Sequence, residues 1–267
     1  MILREIQRMT TRTTTETLLQ EIEQYWTRRA PSYSDLINTE LHTDGLARWL
    51  PVLRENGIGD EPLHILDIGT GPGFFAIVLA TLGHHVVAVD YTEAMLEEAR
   101  ANAMAAGVLE KITFLQMDAQ HLTFPDDTFD FIVTRNVTWV LEHPDEAYLS
   151  WHRVLKPGGT LLNFDAGWYN YLFNEEKYEE FLTDRENVKE AHLVDSYDSY
   201  EESNVCENIS RQLVLSRYTR PEIDLMMLEE VGFSFVDVDR DIWKRVWNET
   251  EKLNGASTPM FLLKAVK

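Results

Sequence analysis

A single cysteine, Cys206, stands among 267 residues. One thiol excludes an intrachain disulfide, and no Cys/His set has the spacing of zinc ligands, so no metal is expected. Long hydrophobic runs are also missing, since none approaches the roughly 18 residues of a membrane span. Arg4, Glu5 and Arg8 interrupt the apolar start that a secretory signal would need. Positive charge is scarce: 24 Lys and Arg face 45 Asp and Glu, a formal net charge of −21. That balance argues against a nucleic-acid backbone as partner, because such binding needs clustered cations. Internal repeats and low-complexity tracts are absent as well. The expectation is a cytoplasmic protein, monomeric or homodimeric, with neither nucleic acid nor membrane as its partner.

What is present is alternation. HILDIGTGPGFFA at 64–76 reads as a short apolar strand, a turn with three glycines and an apolar helix. Strands are expected at 85–89, 111–116, 129–134 and 160–165, with helices at 74–82, 93–106 and 144–155 between them. Lys156-Pro157-Gly158-Gly159 is expected to be a turn. Thr219 and Glu222 have capping-box spacing for a helix at 219–231, and strand-like segments at 233–238 and 259–266 close the pattern. Upstream, helices are expected at 16–29 and about 43–55, separated by a break at Ala30-Pro31-Ser32-Tyr33-Ser34-Asp35. The fold class is therefore α/β: a Rossmann-like, doubly wound, mostly parallel seven-stranded sheet with helices on both faces. Residues 1–60 would form a helical segment covering the site, 61–166 and 218–267 the sheet domain, and 167–217 an inserted lid.

The glycine turn decides between cofactors. A dinucleotide pyrophosphate uses G-x-G-x-x-G, which places a third glycine at residue 74, where this chain has Phe74. Here the spacing is D-x-G-x-G-x-G, from Asp67 through Gly69, Gly71 and Gly73. With Asp90 at the end of the next strand, Asp118 after the third and the LKPGG turn, this pattern resembles the class I S-adenosylmethionine-dependent methyltransferases. It is particularly similar to the quinone-biosynthesis type, over about 26–166 and more loosely over 218–266.

That resemblance implies S-adenosylmethionine as cofactor. It implies that Gly69, Thr70, Gly71 and Gly73 line its methionyl part while Asp67 supports the turn. Asp90 would accept from the ribose hydroxyls, with Tyr91 near the adenine; Asp118 would face the adenine amino group, with Met117 and Ala119 beside it. Arg135 and Asn136 would sit near the sulfonium and the acceptor. A-P-S-Y-S-D is similar to the family's A-x-x-Y-D element with Ser34 interposed, and places Tyr33 at the methionyl end. The residues support this independently, because ionised carboxylates act as acceptors and suit hydroxyl and amino donors.

For the acceptor, Trp26, Trp139, Trp168, Tyr169 and Tyr171 are the candidate contacts. His192, Tyr33 and Asn136 are the candidate catalytic groups, although a methyltransferase needs no general base in every case. From Glu175 to Glu207 there are twelve Asp or Glu against three Lys or Arg. This run reads either as a solvated face or as a device favouring a cationic or amine-bearing acceptor. The expected function is methyl transfer to an O, N or S atom of a small molecule. Aminocarboxypropyl transfer from the same cofactor and a non-catalytic S-adenosylmethionine-binding protein are the alternatives.

Overall fold

The computed structural model describes residues 1–10, 16–197 and 203–267. Three helices, α1 (Ile2–Thr10), α2 (Glu16–His42) and α3 (Gly45–Glu55), precede β1 (His64–Ile68), α4 (Phe74–Thr81), β2 (His85–Asp90) and α5 (Glu93–Ala105). Then follow β3 (Ile112–Gln116), β4 (Phe129–Arg135), α6 (Pro144–Val154) and β5 (Leu155–Asp165). The chain continues through α7 (Glu175–Glu190), α8 (Ser203–Ser210), α9 (Glu222–Val231) and β6 (Phe235–Asp239), and ends with α10 (Trp243–Val246), α11 (Glu249–Asn254) and β7 (Phe261–Val266).

The seven strands are ordered β3-β2-β1-β4-β5-β7-β6, with the first five parallel and β7 antiparallel to both neighbours. β1 and β4 pair side by side although the chain leaves them in opposite directions across the sheet. That reversal opens a crevice at their carboxyl ends, where open α/β sheets bind ligands. Helices cover both faces, so the central strands are nearly continuous in apolar residues. One core joins Trp49, Phe74, Phe75 and Leu79 on one face, and the other joins Ile6, Tyr148, Trp151 and Leu228 on the opposite face. A third cluster unites Leu18, Ile22 and Tyr25 of α2 with Trp139, Tyr169, Tyr171, Cys206, Ile209 and Leu213.

Three local expectations need correction. The break at 30–35 does not occur: α2 runs through Pro31. Burial of Ala30, Ser34 and Ile37 outweighs the one backbone hydrogen bond that proline removes. Asn102 of α5 fastens this stretch, accepting from Asn38 Nδ2 at 2.9 Å and donating to Ser34 Oγ and the Pro72 carbonyl, each at 3.0 Å.

Lys156–Gly159 is not a separate turn but a bulge within β5, whose pairing jumps from Phe129–Leu155 to Phe131–Thr160. Lys156 reaches Asp130 at 2.6 Å, and Gly158 and Gly159 exchange backbone bonds with Lys267. The capping box at Thr219 does not form either. α9 starts at Glu222 without a side-chain cap, and that carboxylate instead meets Arg240 at 2.9 Å. The capping box present is that of Asn248 and Glu251 on α11.

Of the acidic run, residues 198–202 lie outside the described residues. Within α7 only Asp184 and Val188 are buried.

Candidate active site

At the crevice lies a cavity of about 1010 Å³ between protein atoms, its open mouth included. β1 ends in the glycine turn, where Gly69 and Gly71 take φ of +62° and +51°. A side chain at Gly69 would fall 2.3 Å from Val137 Cγ2, so the close approach requires glycine there. Asp67, 2% exposed beneath the turn, accepts from Thr70 Oγ1 at 2.7 Å and from the Ala76 N–H at 3.0 Å. Burial pushes its pKa up to about 7, those two hydrogen bonds opposing the shift in part. Asp90 ends β2 and accepts from the N–H groups of Gly71 and Thr92, both at 2.9 Å. Burial raises its pKa to about 6, again against its hydrogen bonds.

The cavity brings together Trp26, Tyr33, Asp67, Gly69, Thr70, Gly71, Asp90, Tyr91, Met117, Asp118, Ala119, Arg135 and Asn136, which come from elements far apart in sequence. Asp118 is held by Gln120, whose backbone N–H donates to Oδ1 at 2.9 Å. Asn136 is in left-handed backbone at φ 59°, fixed by its N–H to the Phe164 carbonyl and by Trp139 Nε1 donating to its own carbonyl. Its buried Oδ1 has no hydrogen-bond partner.

Other expected site residues are placed elsewhere. Gly73 is the N-cap of α4, facing Ala99 of α5, where a Cβ would stand 3.2 Å from the Ala99 Cβ; its glycine serves helix packing. Trp139 lies behind the wall, its ring 6.5 Å from Trp26. Tyr169 meets Cys206 Sγ at 3.0 Å and Tyr171 stacks on Phe181 and bonds Glu207, so these two rings lie in the cluster between the insertion and α2, while Trp168 stacks on Trp247 just after α10. His192 is exposed just past the end of α7 and lines no part of the cavity. No described residue of the acidic run reaches the cavity. Its described part is a largely solvated face and gives no structural basis for selecting a cationic acceptor.

Several lining residues escape a reading by motif. Leu19, Ile22, Ile37, Val140, Leu141 and Glu142 complete the walls. Glu40, also on α2, takes both contacts of Arg135 Nη1 at 3.0 Å and accepts from Trp49 Nε1 at 2.6 Å. Their signal was helical spacing: Leu19, Ile22, Trp26, Tyr33, Ile37 and Glu40 follow one stripe of α2 once the period is carried through Pro31.

Behind the 136–142 turn lies a buried ionic network with no motif at all. Arg220, its side chain 1% exposed, reaches Asp224 at 2.8 Å and Asp165 at 3.2 Å. It also donates to Thr138 Oγ1 at 2.6 Å. Asp165 in turn accepts from Thr138 Oγ1, the Trp139 N–H and Trp168 Nε1. Burial works against the Arg220 charge, but Asp224 and Asp165 outweigh it and raise its pKa further.

A seven-stranded sheet of this order, with a glycine turn and carboxylates at its switch point, is the architecture of the class I S-adenosylmethionine-dependent methyltransferases. The chain has the fold of that class, whose members use S-adenosylmethionine as cofactor.

Residues 66–163 match the model of the family described as methyltransferase domain. Over 105 residues the chain is 43% identical to a ubiquinone/menaquinone biosynthesis C-methyltransferase of Pseudomonas entomophila (strain L48), covering 37% of this chain and 40% of that one. It is 35% identical over 135 residues to a demethylmenaquinone methyltransferase of Thermus thermophilus, covering 50% and 60%. The matched region thus spans 40% and 60% of these two curated relatives, less than two thirds of either.

Among solved structures, a putative S-adenosylmethionine-dependent methyltransferase of Methanococcus maripaludis shares the fold with a TM-score of 0.57 at 20% identity, covering 90% of this chain and 93% of that one. The (4+2)-cyclase SpnF does so with a TM-score of 0.61 at 18% identity, covering 92% and 95%. No helix among the described residues is long and apolar enough to cross a membrane. No group of three or more candidate metal ligands is found among them.

Proposed function

We propose that this protein moves a methyl group from S-adenosylmethionine to a small, uncharged, ring-bearing acceptor. The observation that carries this reading is one continuous cavity with two chemistries. Asp90, Asp118 and the glycine turn give it polar wall, and Leu19, Ile22, Trp26, Val140 and Leu141 give it apolar wall.

The residues present fit the cofactor. Each Asp90 oxygen spends one acceptor site on a backbone N–H and keeps another for a ribose hydroxyl. Asp118 would take an amino donor, with Tyr91, Met117 and Ala119 beside the adenine ring. Gly69, Thr70, Gly71 and Tyr33 meet the methionyl end. The orphaned Asn136 Oδ1 is a buried acceptor that a ligand amino group would satisfy.

When bound, S-adenosylmethionine supplies a methyl group already activated by positive sulfur. What remains for the protein is to hold the acceptor in line and exclude water. Residues 16–42, with the described residues of the 167–217 insertion packed against them, act as the roof that does so. The acceptor atom is O, N, S or, as the names of the curated relatives suggest, the carbon of a quinone-like ring.

The test is turnover over a panel of hydroquinones, phenols, thiols and amines, with mass spectrometry of the nucleoside by-product. S-adenosylhomocysteine together with a product heavier by one methylene is expected. Methylthioadenosine would indicate aminocarboxypropyl transfer instead. Tight S-adenosylhomocysteine binding without turnover across the panel would point to a non-catalytic binding protein.

A further inference from the structure

Arg135 is the one Lys or Arg side chain that lines the cavity among the described residues. It sits in an aromatic box, its guanidinium carbon 4.4 Å from the centroid of Phe74, 5.2 Å from Trp49 and 5.5 Å from Phe75. A guanidinium in such surroundings attracts any anion that enters, because little water is there to screen it. Glu40 occupies that role from within the chain. Both carboxylate oxygens lie 3.0 Å from Arg135 Nη1, and the two side chains are 15% and 12% exposed. Trp49 Nε1 holds the carboxylate in place, and the Asn38–Asn102–Ser34 bonds hold the α2 backbone that carries it.

We propose that Glu40 is a specificity-determining residue, which offsets the charge of Arg135 and so keeps this part of the cavity from drawing in anionic groups. Because Glu40 rides on α2, the helix that roofs the site also sets its charge: with α2 seated, a ligand meets an ion pair at Arg135 and not a bare cation. The chemical class disfavoured there is a carboxylate- or phosphate-bearing group. This inference rests on the cofactor reading of the cavity.

The test compares two probes by calorimetry. S-adenosylhomocysteine carries an α-carboxylate and methylthioadenosine lacks it, while both share the adenosine that the polar wall would hold. Failure of the wild-type protein to bind either would overturn the cofactor reading, and this inference with it. If both bind, E40Q removes the direct ion partner of Arg135, and the ratio of affinities is expected to move at least about fivefold toward the carboxylate-bearing probe. E40Q/R135Q restores a neutral pair and is expected to return the ratio to within about twofold of wild type. An E40Q ratio that does not change, through equal weakening of both probes or otherwise, would show that Glu40 only supports the helix and would overturn the proposal. So would an E40Q/R135Q ratio that stays shifted. A general loss of folding would lower both affinities together and leave no selective shift for the double variant to reverse.

Discussion

The Gly71 N–H donates to Asp90 Oδ2 at 2.9 Å, so the carboxylate at the end of β2 fastens the turn at the end of β1. The other Asp90 oxygen holds the Thr92 N–H at the start of α5. Asp90→Ala would leave two backbone donors without their partner, at about 1–3 kcal/mol of stability. It would also remove the acceptor proposed for the ribose. Calorimetry with S-adenosylhomocysteine is expected to show at least a tenfold loss of affinity, and urea denaturation the loss of stability.

The glycines of the turn are not equivalent. Alanine at position 69 would combine left-handed backbone with a contact of 2.3 Å to Val137, whereas alanine at 71 meets nothing nearer than Tyr33 Cε1 at 3.5 Å. Gly71→Ala is therefore expected to cost about 1–2 kcal/mol, the ordinary penalty of that backbone region. Gly69→Ala should cost clearly more and abolish measurable cofactor binding. Thermal melts and calorimetry on the two variants check the order.

Asp67 and Asp90 have pKa values raised to about 7 and about 6, from an ordinary 3.8. Between about pH 4 and 7 the folded protein therefore holds more protons than the unfolded chain. Their contribution to stability is full below pH 4 and is lost as the pH rises through 6 and 7. Asp67→Asn keeps an oxygen for Thr70 and the Ala76 N–H but cannot ionise. Chemical denaturation from pH 4.5 to 8 is expected to show a shallower decline in this variant, by about 2–4 kcal/mol over the range. An identical decline in both proteins would show that Asp67 does not titrate in this window.

Among the described residues Arg220 is the sole cation of a network holding the buried carboxylates of Asp165 and Asp224. Arg220→Ala leaves two uncompensated buried charges, and a loss of about 3–5 kcal/mol is expected in urea denaturation. Because Asp165 holds Thr138 and Trp139, and Trp139 Nε1 holds Asn136, the wall of the cavity should loosen as well. The difference in fluorescence between proteins with and without W139F isolates the Trp139 signal and reads that change before global unfolding.

Much of this was legible along the chain because it depends on neighbours in sequence. Strand periodicity, the glycine spacing and the carboxylates at strand ends are local, and together they named the fold, the cofactor and the polar wall of the cavity. Pro31 misled because a local rule about one hydrogen bond was outweighed by packing against α5, which no local rule contains. Gly73 misled for a related reason: its place in the motif is fixed, but the surface it faces is Ala99.

The buried charge pairs beside the cavity depended wholly on tertiary structure. Glu40 and Arg135 are 95 residues apart, and Arg220 and Thr138 are 82 apart. Each pair exists because the sheet brings the carboxyl ends of its strands under α2 and the insertion. The aromatic residues 168–171 show the other side of the same dependence. Their apolar character marked them as buried, but only the fold decided that they pack on one another and on Cys206 instead of facing a ligand. Sequence determined which residues must leave water and which backbone turns need glycine. Tertiary structure decided which buried charges meet, since that depends on distance in space between groups that the chain keeps far apart.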